Sequence, residues 1–340
     1  MKKILVTGGC GFIGSHTIVE LVKSGYDPVV YDNLSRSNSS SLDGIELICE
    51  KRIEFINGDI RDVASLESVF DRYSFDAVIH FAGLKAVSES VEKPLLYFEN
   101  NVAGTINLLQ MMTKFNVNNF VFSSSATVYG DTAISPLDES LPLASPQNPY
   151  GSSKLIVENL LRDLFVSNSK WNIVILRYFN PVGAHESGLI GENPAGIPSN
   201  VMPLLCQTAA GVRECFEVFG CDYNTHDGTA IRDYIHVMDL SNGHVSALNK
   251  VFSKCGLLTA NLGTGKGHSV LDLINAFERV SCKKINWKYA ERRPGDIDVS
   301  VACHKNAKQL LGWTAKYSLT DMCADAWRWQ ASMIDKKSSC

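Results

Sequence analysis

Short apolar runs alternate with amphipathic stretches along the first half of the chain. The apolar runs predict strands over residues 3–7, 29–31, 53–57, 76–83, 120–122 and 172–178, the last closing the parallel series. Apolar positions at helical spacing predict helices that follow residue 14, end near 72, span about 94–116 and begin near 150. Strands and helices in strict succession are typical of a parallel sheet with helices on both faces. We therefore predict an α/β fold, a Rossmann-type doubly wound parallel sheet.

The pattern changes after residue 180. The segment over 180–198 is rich in glycine, proline and asparagine, which favours a long binding loop over a core element. Beyond it we predict helices near 203–211, up to 251, near 270–281 and through 327–329, with short strands near 216–219, 230–236 and 260–262. We interpret the chain as two domains. The sheet domain covers 1–179, with part of 230–262 returning to it, and a smaller mixed α/β domain covers 180–340.

A glycine-rich turn joins the first strand to the first helix. Gly9, Gly11 and Gly14 fit the spacing G-x-G-x-x-G. Missing side chains there let backbone N–H groups and a helix N-terminus approach a pyrophosphate, although a tight turn needs glycine for steric reasons as well. The second strand ends at Asp32, where an acid binds the adenosine ribose hydroxyls and favours NAD over NADP. The alternative for Asp32 is a turn-forming role before Asn33.

The other strand ends extend this predicted cofactor site. In a doubly wound sheet, ligands bind beyond the carboxyl ends of the strands. Asp59 and Ile60 should therefore border the adenine, and the end of the fourth strand should border the phosphates and ribose. The residues assigned to the NAD site from this pattern are Gly8, Gly11, Phe12, Ile13, Gly14, Asp32, Asn33, Asp59, Ile60, Phe81, Ala82, Gly83 and Asn100.

Composition and charge point to a small-molecule partner. Among 340 residues, 45% are hydrophobic and 20% charged, with a formal net charge of -4 and no long run of like charges, which argues against nucleic acid or an anionic membrane surface. Ten cysteines without a C-x-x-C pair and eight histidines without an H-E-x-x-H set suggest reduced thiols and no metal site. No segment approaches the ~20 apolar residues that span a bilayer, so we expect a cytoplasmic protein.

Tyr150 and Lys154 are four residues apart where a helical pattern begins, so their side chains share one face. A phenol loses its proton only near pH ~10 unless a nearby positive charge favours the phenolate. Lys154 could supply that charge, which would make Tyr150 a base. The alternative is a cap neighbour followed by a solvated surface lysine. The serines at 123–125 are predicted to form a loop at a strand end, pointing toward a bound nicotinamide; the alternative is a polar end of the strand without a binding role.

Six segments resemble, in order and over nearly the whole chain, those of one known family. They are residues 7–14 (TGGCGFIG), 81–87 (FAGLKAV), 123–130 (SSSATVYG), 150–154 (YGSSK), 177–184 (RYFNPVGA) and 232–237 (RDYIHV). Each is a modest signal alone, but the set is specific. The chain is similar to the UDP-glucose 4-epimerases, which are extended short-chain dehydrogenase/reductases.

The resemblance implies a mechanism. Tyr150, as phenolate, would remove the proton of the sugar 4-hydroxyl while hydride passes from carbon 4 to NAD. Lys154 would stabilise the phenolate and bind the nicotinamide ribose, and Ser125 would bridge the proton transfer. The 4-keto sugar would then turn and take the hydride back on its other face. Lys85 and Tyr178 would lie at the cofactor end of the site.

The same resemblance implies how the substrate is held. Arginines suit diphosphate oxygens by charge and fork geometry. The family also implies a homodimer, although no sequence feature establishes one. The residues assigned to the UDP-sugar are Asn180, Asn200, Arg232, Val270, Arg293, Asp296 and Ser300.

Ser300 departs from the pattern of family members restricted to glucose and galactose, which carry a bulky tyrosine there. A small residue leaves room for an acetamido group, so UDP-GlcNAc and UDP-GalNAc are predicted substrates; the alternative is a surface-loop serine.

One rival activity is a sugar-nucleotide 4,6-dehydratase, whose elimination needs an acid and a base where this chain has Ala126 and Thr127. The other rival is a non-enzymatic NAD-binding protein on the same fold.

Overall fold

The computed structural model describes residues 1–132, 134–143, 146–194, 196, 198, 200–293 and 296–338. The strands in this part of the chain are β1 (Lys3–Thr7), β2 (Asp27–Asp32), β3 (Glu54–Asn57), β4 (Ala77–His80), β5 (Asn119–Ser125), β6 (Asn172–Tyr178), β7 (Asn180–Val182), β8 (Phe216–Phe219), β9 (Ile231–Arg232), β10 (Tyr234–His236), β11 (Leu257–Leu262), β12 (His268–Ser269), β13 (Trp287–Ala290) and β14 (Val299–Ser300).

The α-helices are α1 (Phe12–Lys23), α2 (Ser40–Cys49), α3 (Val63–Arg72), α4 (Val87–Glu92), α5 (Pro94–Phe98), α6 (Gly104–Lys114), α7 (Pro149–Ser167), α8 (Val201–Ala209), α9 (Val237–Val251), α10 (Val270–Ser281), α11 (Lys305–Leu311) and α12 (Leu319–Ser338). A π-helical turn, Glu99–Ala103, joins α5 to α6, and a short 3-10 helix, Ala126–Tyr129, follows β5. No helix among these residues is long and apolar enough to cross a bilayer.

Seven parallel strands form the main sheet in the order β11-β6-β5-β4-β1-β2-β3. The apolar run of β1 shows why the sheet is buried on both sides. Ile4 and Val6 belong to a core that includes residues of α1 and α9, whereas Leu5 belongs to a second core that includes residues of α3, α6 and α7. Successive strand residues face opposite sides, so an uninterrupted apolar run requires helices on both faces. The predicted doubly wound sheet is confirmed.

A second group of elements packs beside the sheet. Helices α8, α10 and α12 share a core with β8 and β10, around side chains such as Leu205, Phe277 and Met322. The predicted loop after residue 180 begins with a short strand, β7, that pairs in parallel with β10. Helix α10 opens with a capping box between Ser269 and Asp272.

Three local predictions were wrong. The serines at 123–125 continue β5 instead of forming a loop, because they pair in register with residues 176–178 of β6. β6 does not close the sheet, because β11 pairs with it along its whole length. The expected helix over 94–116 contains the π-helical turn between α5 and α6.

Candidate active site

A cleft opens at the carboxyl ends of the sheet strands, where the strand order reverses between β1 and β4. Tyr150 and Lys154 line this cleft, as do residues of the segment over 35–41. The predicted cofactor residues that line it are Gly8, Gly11, Phe12, Ile13, Gly14, Asp32, Asn33, Ile60, Phe81, Ala82, Gly83, Lys85, Asn100 and Tyr178.

The glycine turn packs backbone against backbone. Gly8 has φ +71°, and a Cβ there would lie 2.5 Å from the backbone nitrogen of Ala82. A Cβ on Gly14 would lie 2.4 Å from the Gly8 carbonyl oxygen. Helix α1 starts with Gly11 as its N-cap and has no side-chain cap, so its first backbone N–H groups have no side-chain acceptor. This turn has the shape and polarity that a diphosphate requires.

Asp32 lies at the end of β2, 8% exposed. Its Oδ2 accepts a 3.0 Å hydrogen bond from the Cys10 backbone N–H, and its Oδ1 accepts 2.9 Å bonds from the Leu34 N–H and the Ser37 hydroxyl. These bonds fix the carboxylate beside the glycine turn. The position fits a carboxylate that binds ribose hydroxyls.

Asp59 lies just behind the cleft lining. It accepts hydrogen bonds from Asn33 (2.8 Å) and Arg61, and the Arg61 guanidinium is the main cause that lowers its pKa to about 2. Asp59 is therefore a structural anion that orients Asn33. Its neighbour Ile60 lines the cleft directly.

Tyr150 and Lys154 are positioned by the start of α7. The Asn148 side chain accepts a 2.9 Å bond from the Gly151 N–H, and Pro149 occupies the first helical position. The helix therefore begins at a fixed residue, and both side chains project from adjacent turns of one face.

The side chains of Ser125 and Tyr150 lie close together and interact. Burial raises the pKa of the Tyr150 phenol, and the interaction with Ser125 opposes that rise. Ser125 ends β5 opposite Tyr178 of β6, and its Oγ also accepts a 3.2 Å bond from the Thr127 N–H. The tyrosine–serine pair predicted from sequence is thus assembled, although the protein alone does not lower the phenol's pKa.

Lys154 is 5% exposed, and its Nζ donates a 2.8 Å hydrogen bond to the carbonyl oxygen of Ser123. Burial lowers its pKa to about 8, against the opposing charge of Glu158. The Tyr178 hydroxyl donates to the Ser123 hydroxyl. Ser123 therefore connects Lys154 with Tyr178 at the end of the cleft.

The predicted substrate residues lie in the second group of elements. Arg232 donates to the Ile231 and Ile297 carbonyl oxygens and pairs with Asp296 at 3.3 Å. Ser300 is the Cα partner of Arg232 in the β9–β14 pairing. The structure thus brings Arg232, Asp296 and Ser300 together.

The other predicted substrate residues are more dispersed. The Arg293 guanidinium lies 4.0 Å from the centroid of the Phe219 ring, and Val270 begins α10. Asn180 starts β7, and Asn200 is the N-cap residue of α8. Among the described residues that line the cleft, none of the seven predicted substrate residues occurs. Residues 294 and 295 of the Arg293 motif lie outside the described part.

Sequence reasoning missed three polar residues near the cleft. Glu192 accepts hydrogen bonds from Lys85 (3.0 Å) and Asn200, so it joins a predicted cofactor residue to a predicted substrate residue. Asn101, in the π-helical turn, bonds the Leu84 backbone and the Ser153 hydroxyl. Asn101 could have been predicted from its position next to Asn100, which was assigned to the cofactor site. Glu192 could not, because it lies in a loop where no periodic pattern indicates a functional residue.

Glu158, the third missed residue, lies four residues after Lys154 on α7, where it faces the sheet.

A surface cluster of possible metal ligands was also not predicted from the sequence. His226, Asp227 and Asp272 hold potential ligand atoms within 4.8 Å of one another, and His226 is exposed. Nothing else at that surface indicates an ion, so the absence of a metal remains a prediction.

Known proteins resemble this chain along almost its entire length. A family model described as GDP-mannose 4,6 dehydratase matches residues 5–326. The UDP-glucose 4-epimerase of Bacillus subtilis is 53% identical over 332 residues, covering 98% of both chains. The chain belongs to the UDP-glucose 4-epimerase family. It lies within the wider group that the dehydratase model describes.

Solved structures agree with this assignment. A crystal structure of UDP-glucose 4-epimerase from Stenotrophomonas maltophila, with bound NAD and formylated UDP-arabinopyranose, has a TM-score of 0.96 and 47% identity and covers 99% of this chain and 100% of its own. The UDP-Glc/GlcNAc 4-epimerase of Campylobacter jejuni has a TM-score of 0.84 at 37% identity, covering 98% and 100%.

Proposed function

We propose that the chain interconverts UDP-glucose and UDP-galactose by NAD-dependent inversion at carbon 4 and also accepts UDP-GlcNAc and UDP-GalNAc. The neighbouring side chains of Tyr150 and Ser125, with buried Lys154 one helical turn away, carry the proposal. A proton acceptor at the nicotinamide end of a dinucleotide cleft suits oxidation of a hydroxyl-bearing carbon.

The residues that would hold NAD fit its parts in order. Asp32 would bind the adenosine ribose, the turn around Gly8, Gly11 and Gly14 would bind the diphosphate, and Lys154 would bind the nicotinamide ribose. Bound NAD supplies the hydride acceptor for carbon 4 and, when oxidised, a positive charge beside the phenol. That charge would offset the rise in the Tyr150 pKa that burial causes.

The protein's own groups handle the proton. Ser125 would bind the sugar 4-oxygen and pass the hydroxyl proton to Tyr150, whose side chain lies beside it. Lys154, held by the Ser123 carbonyl, would keep a positive charge beside the phenolate. After the sugar turns, Tyr150 would return the proton to the same oxygen through Ser125. The net result is inversion at carbon 4 without net oxidation.

The substrate end is assigned to the second group of elements. Arg232 and Arg293 are proposed to bind the diphosphate, with Asp296 orienting Arg232 through their 3.3 Å contact. Asn180, Asn200 and Val270 are proposed to contact the rest of the UDP-sugar.

A 4,6-dehydratase would share the first oxidation step but needs further proton carriers. By the resemblance, elimination would require an acid and a base directly after Ser125, where this chain has Ala126 and Thr127 in the 3-10 helix. Neither side chain titrates in the accessible pH range. The elimination step therefore has no proton donor or acceptor at this position.

Ser300 supports the wider sugar specificity. Its register partner is Arg232, which is proposed to bind the diphosphate, so a side chain at 300 would lie near the substrate. A serine leaves space that a tyrosine would fill, and overpacking a full pocket costs about 1–3 kcal/mol. An acetamido group would then bind without displacing the backbone.

A homodimer is proposed from the surface of α6 and α7. Ile106 is 37% exposed and Ile156 is 43% exposed. An apolar groove between these helices is lined by Ile106, Leu109, Gln110, Thr113, Leu160 and Leu164. A second copy would cover this surface, and light scattering of the purified chain would report one or two copies.

Replacing Tyr150 with phenylalanine tests the proposed chemistry. Loss of general base catalysis should lower kcat by about 10²–10⁴-fold. The matched control is Tyr289→Phe, because Tyr289 is 47% exposed on β13, away from the cleft. Turnover by Tyr150→Phe near the rate of the unmodified protein would exclude Tyr150 as the base.

A further inference from the structure

A buried ion pair lies behind the proposed catalytic groups. Glu158 on α7 is 0% exposed and Arg177 on β6 is 2% exposed. The Arg177 Nε donates to Glu158 Oε1 at 2.9 Å, and its Nη2 donates to Oε2 at 2.7 Å. A bidentate pair of this kind is directional, and separating its charges inside the protein is strongly unfavourable. It therefore fixes the distance between α7 and β6.

Ser124 connects this pair to the strand that carries Ser125. Its hydroxyl donates a 2.6 Å bond to Glu158 Oε1, and its Cα partner in β6 is Arg177. Successive residues of a strand face opposite sides, so Ser123 and Ser125 share one face while Ser124 points to the other. The end of β5 is thus held from one side by Glu158 and presents Ser125 on the opposite side.

The network continues into two more elements. Arg177 Nη1 donates to the Tyr129 hydroxyl at 3.1 Å, and that hydroxyl donates to Asn261 Oδ1 at 2.7 Å. Tyr129 belongs to the 3-10 helix after Ser125, and Asn261 belongs to β11. The ion pair is therefore hydrogen-bonded to the 3-10 helix after Ser125 and to β11. All of these hydrogen bonds can form together only within a narrow range of positions of the elements that carry them.

We propose that Glu158, Arg177 and Ser124 are positioning residues that hold α7 in register with the end of β5. In this role they set the separation between Tyr150 on the helix and Ser125 on the strand. The catalytic purpose of this positioning rests on the proposed function, whereas the contacts among the three residues do not depend on that function. None of the three is among the residues that line the cleft.

The titratable groups around Tyr150 determine which substitution can test the proposal. The titratable groups facing Tyr150 and Lys154 are Tyr178 on β6, His80 on β4 and Glu158 on α7. Burial holds His80 neutral by lowering its pKa to about 3. Replacing Glu158 or Arg177 would change the local charge directly, whereas Ser124→Ala changes no charge. A shift in the Tyr150 titration caused by Ser124→Ala therefore reports displacement.

The experiment titrates Tyr150 in the NAD-loaded protein. Tyrosinate absorbance is followed against pH with and without Ser124→Ala, and the same curves in a Tyr150→Phe background are subtracted to isolate Tyr150. We expect its pKa to shift by roughly half a unit or more, since phenolate stability depends on the distance to charged and hydrogen-bonding groups. In the epimerase assay, kcat should fall about tenfold with KM nearly unchanged, because misplacement mainly affects the reacting geometry.

Arg162→Gln is the matched control. Arg162 donates a 2.8 Å bond to the same carboxylate from the surface, so its loss leaves the buried pair with Arg177 intact. Its Tyr150 titration and kcat should match those of the unmodified protein. An unchanged Tyr150 titration in Ser124→Ala would overturn the proposal whatever the turnover. Absence of epimerisation in the unmodified protein would instead refute the proposed function, while the titration still decides the positioning role.

Discussion

The Nζ of Lys154 donates a 2.8 Å hydrogen bond to the carbonyl oxygen of Ser123, so the lysine is fastened to the end of the strand that carries Ser125. Burial has lowered its pKa to about 8. The residue thus combines a fixed position with a charge that can be lost near neutral pH. Its protonation state should be visible in the kinetics.

Turnover should therefore fall as the pH rises through about 8, the pKa of Lys154. Lys154 carries its charge below that pH and loses it above, and a neutral lysine no longer favours the Tyr150 phenolate. The measurement is kcat for UDP-galactose between roughly pH 6 and pH 10, with stability checked at each pH. A rate that stays level across the alkaline range would show that the charge of Lys154 is not needed.

Ser300→Tyr should suppress turnover of the N-acetylated substrates while sparing UDP-galactose. A bulky side chain in the acetamido space costs about 1–3 kcal/mol, or about 10- to 100-fold in kcat/KM. Ser300→Ala keeps the position small and serves as the control for loss of the hydroxyl. Equal losses of kcat/KM on plain and acetylated sugars would contradict the assignment of Ser300 as a residue that determines sugar specificity.

Asp32→Ala should weaken NAD binding about 10- to 100-fold, because a hydrogen bond to a charged group contributes about 1.5–3 kcal/mol. The same change should reduce discrimination against NADP, since the carboxylate repels a 2′-phosphate. Asp43→Ala makes the same charge change at an exposed position of α2 and should leave both affinities as they were. Isothermal titration with each nucleotide measures both effects. Comparable NAD affinity in the two variants would remove Asp32 from the site.

Glu158→Gln should lower the free energy of unfolding by about 3–5 kcal/mol, because it leaves the buried Arg177 charge without its partner. Urea denaturation measures the loss. Arg162→Gln removes only a half-exposed pair to the same carboxylate and should cost at most about 1 kcal/mol. Similar small losses in both variants would mean that the buried pair does not stabilise the fold.

The sheet and the cofactor cleft could be predicted because their determinants are local. The apolar runs of β1 and β2, the glycines between them and the acid at the end of β2 lie within the first 32 residues. Strand pairing then places them at one edge of the sheet by a general rule. The predicted family and parallel sheet were accordingly correct, and most of the predicted cofactor residues line one cleft, whose occupation by NAD stays a prediction.

The sequence pattern could not predict the contacts between residues far apart in the chain. The serines at 123–125 are polar, which suggested a loop, but pairing with β6 and burial against Glu158 and Tyr178 keep them in the strand. The partner of Glu158 on α7 is Arg177, which lies 19 residues away on β6, so no helical spacing predicts the pair. Part of 230–262 was predicted to return to the sheet, but the pairing of β11 with β6 could not be predicted, because β11 follows the sheet strands only after several elements of the second group.

The most direct test of the proposed function is incubation of the purified chain with each of UDP-glucose, UDP-galactose, UDP-GlcNAc and UDP-GalNAc, without added NAD, followed by identification of the products. The account predicts that each sugar yields its carbon-4 epimer, because the cofactor stays bound and is regenerated in every cycle. No product even with NAD supplied, or a 4-keto-6-deoxy sugar in place of the epimer, would contradict it.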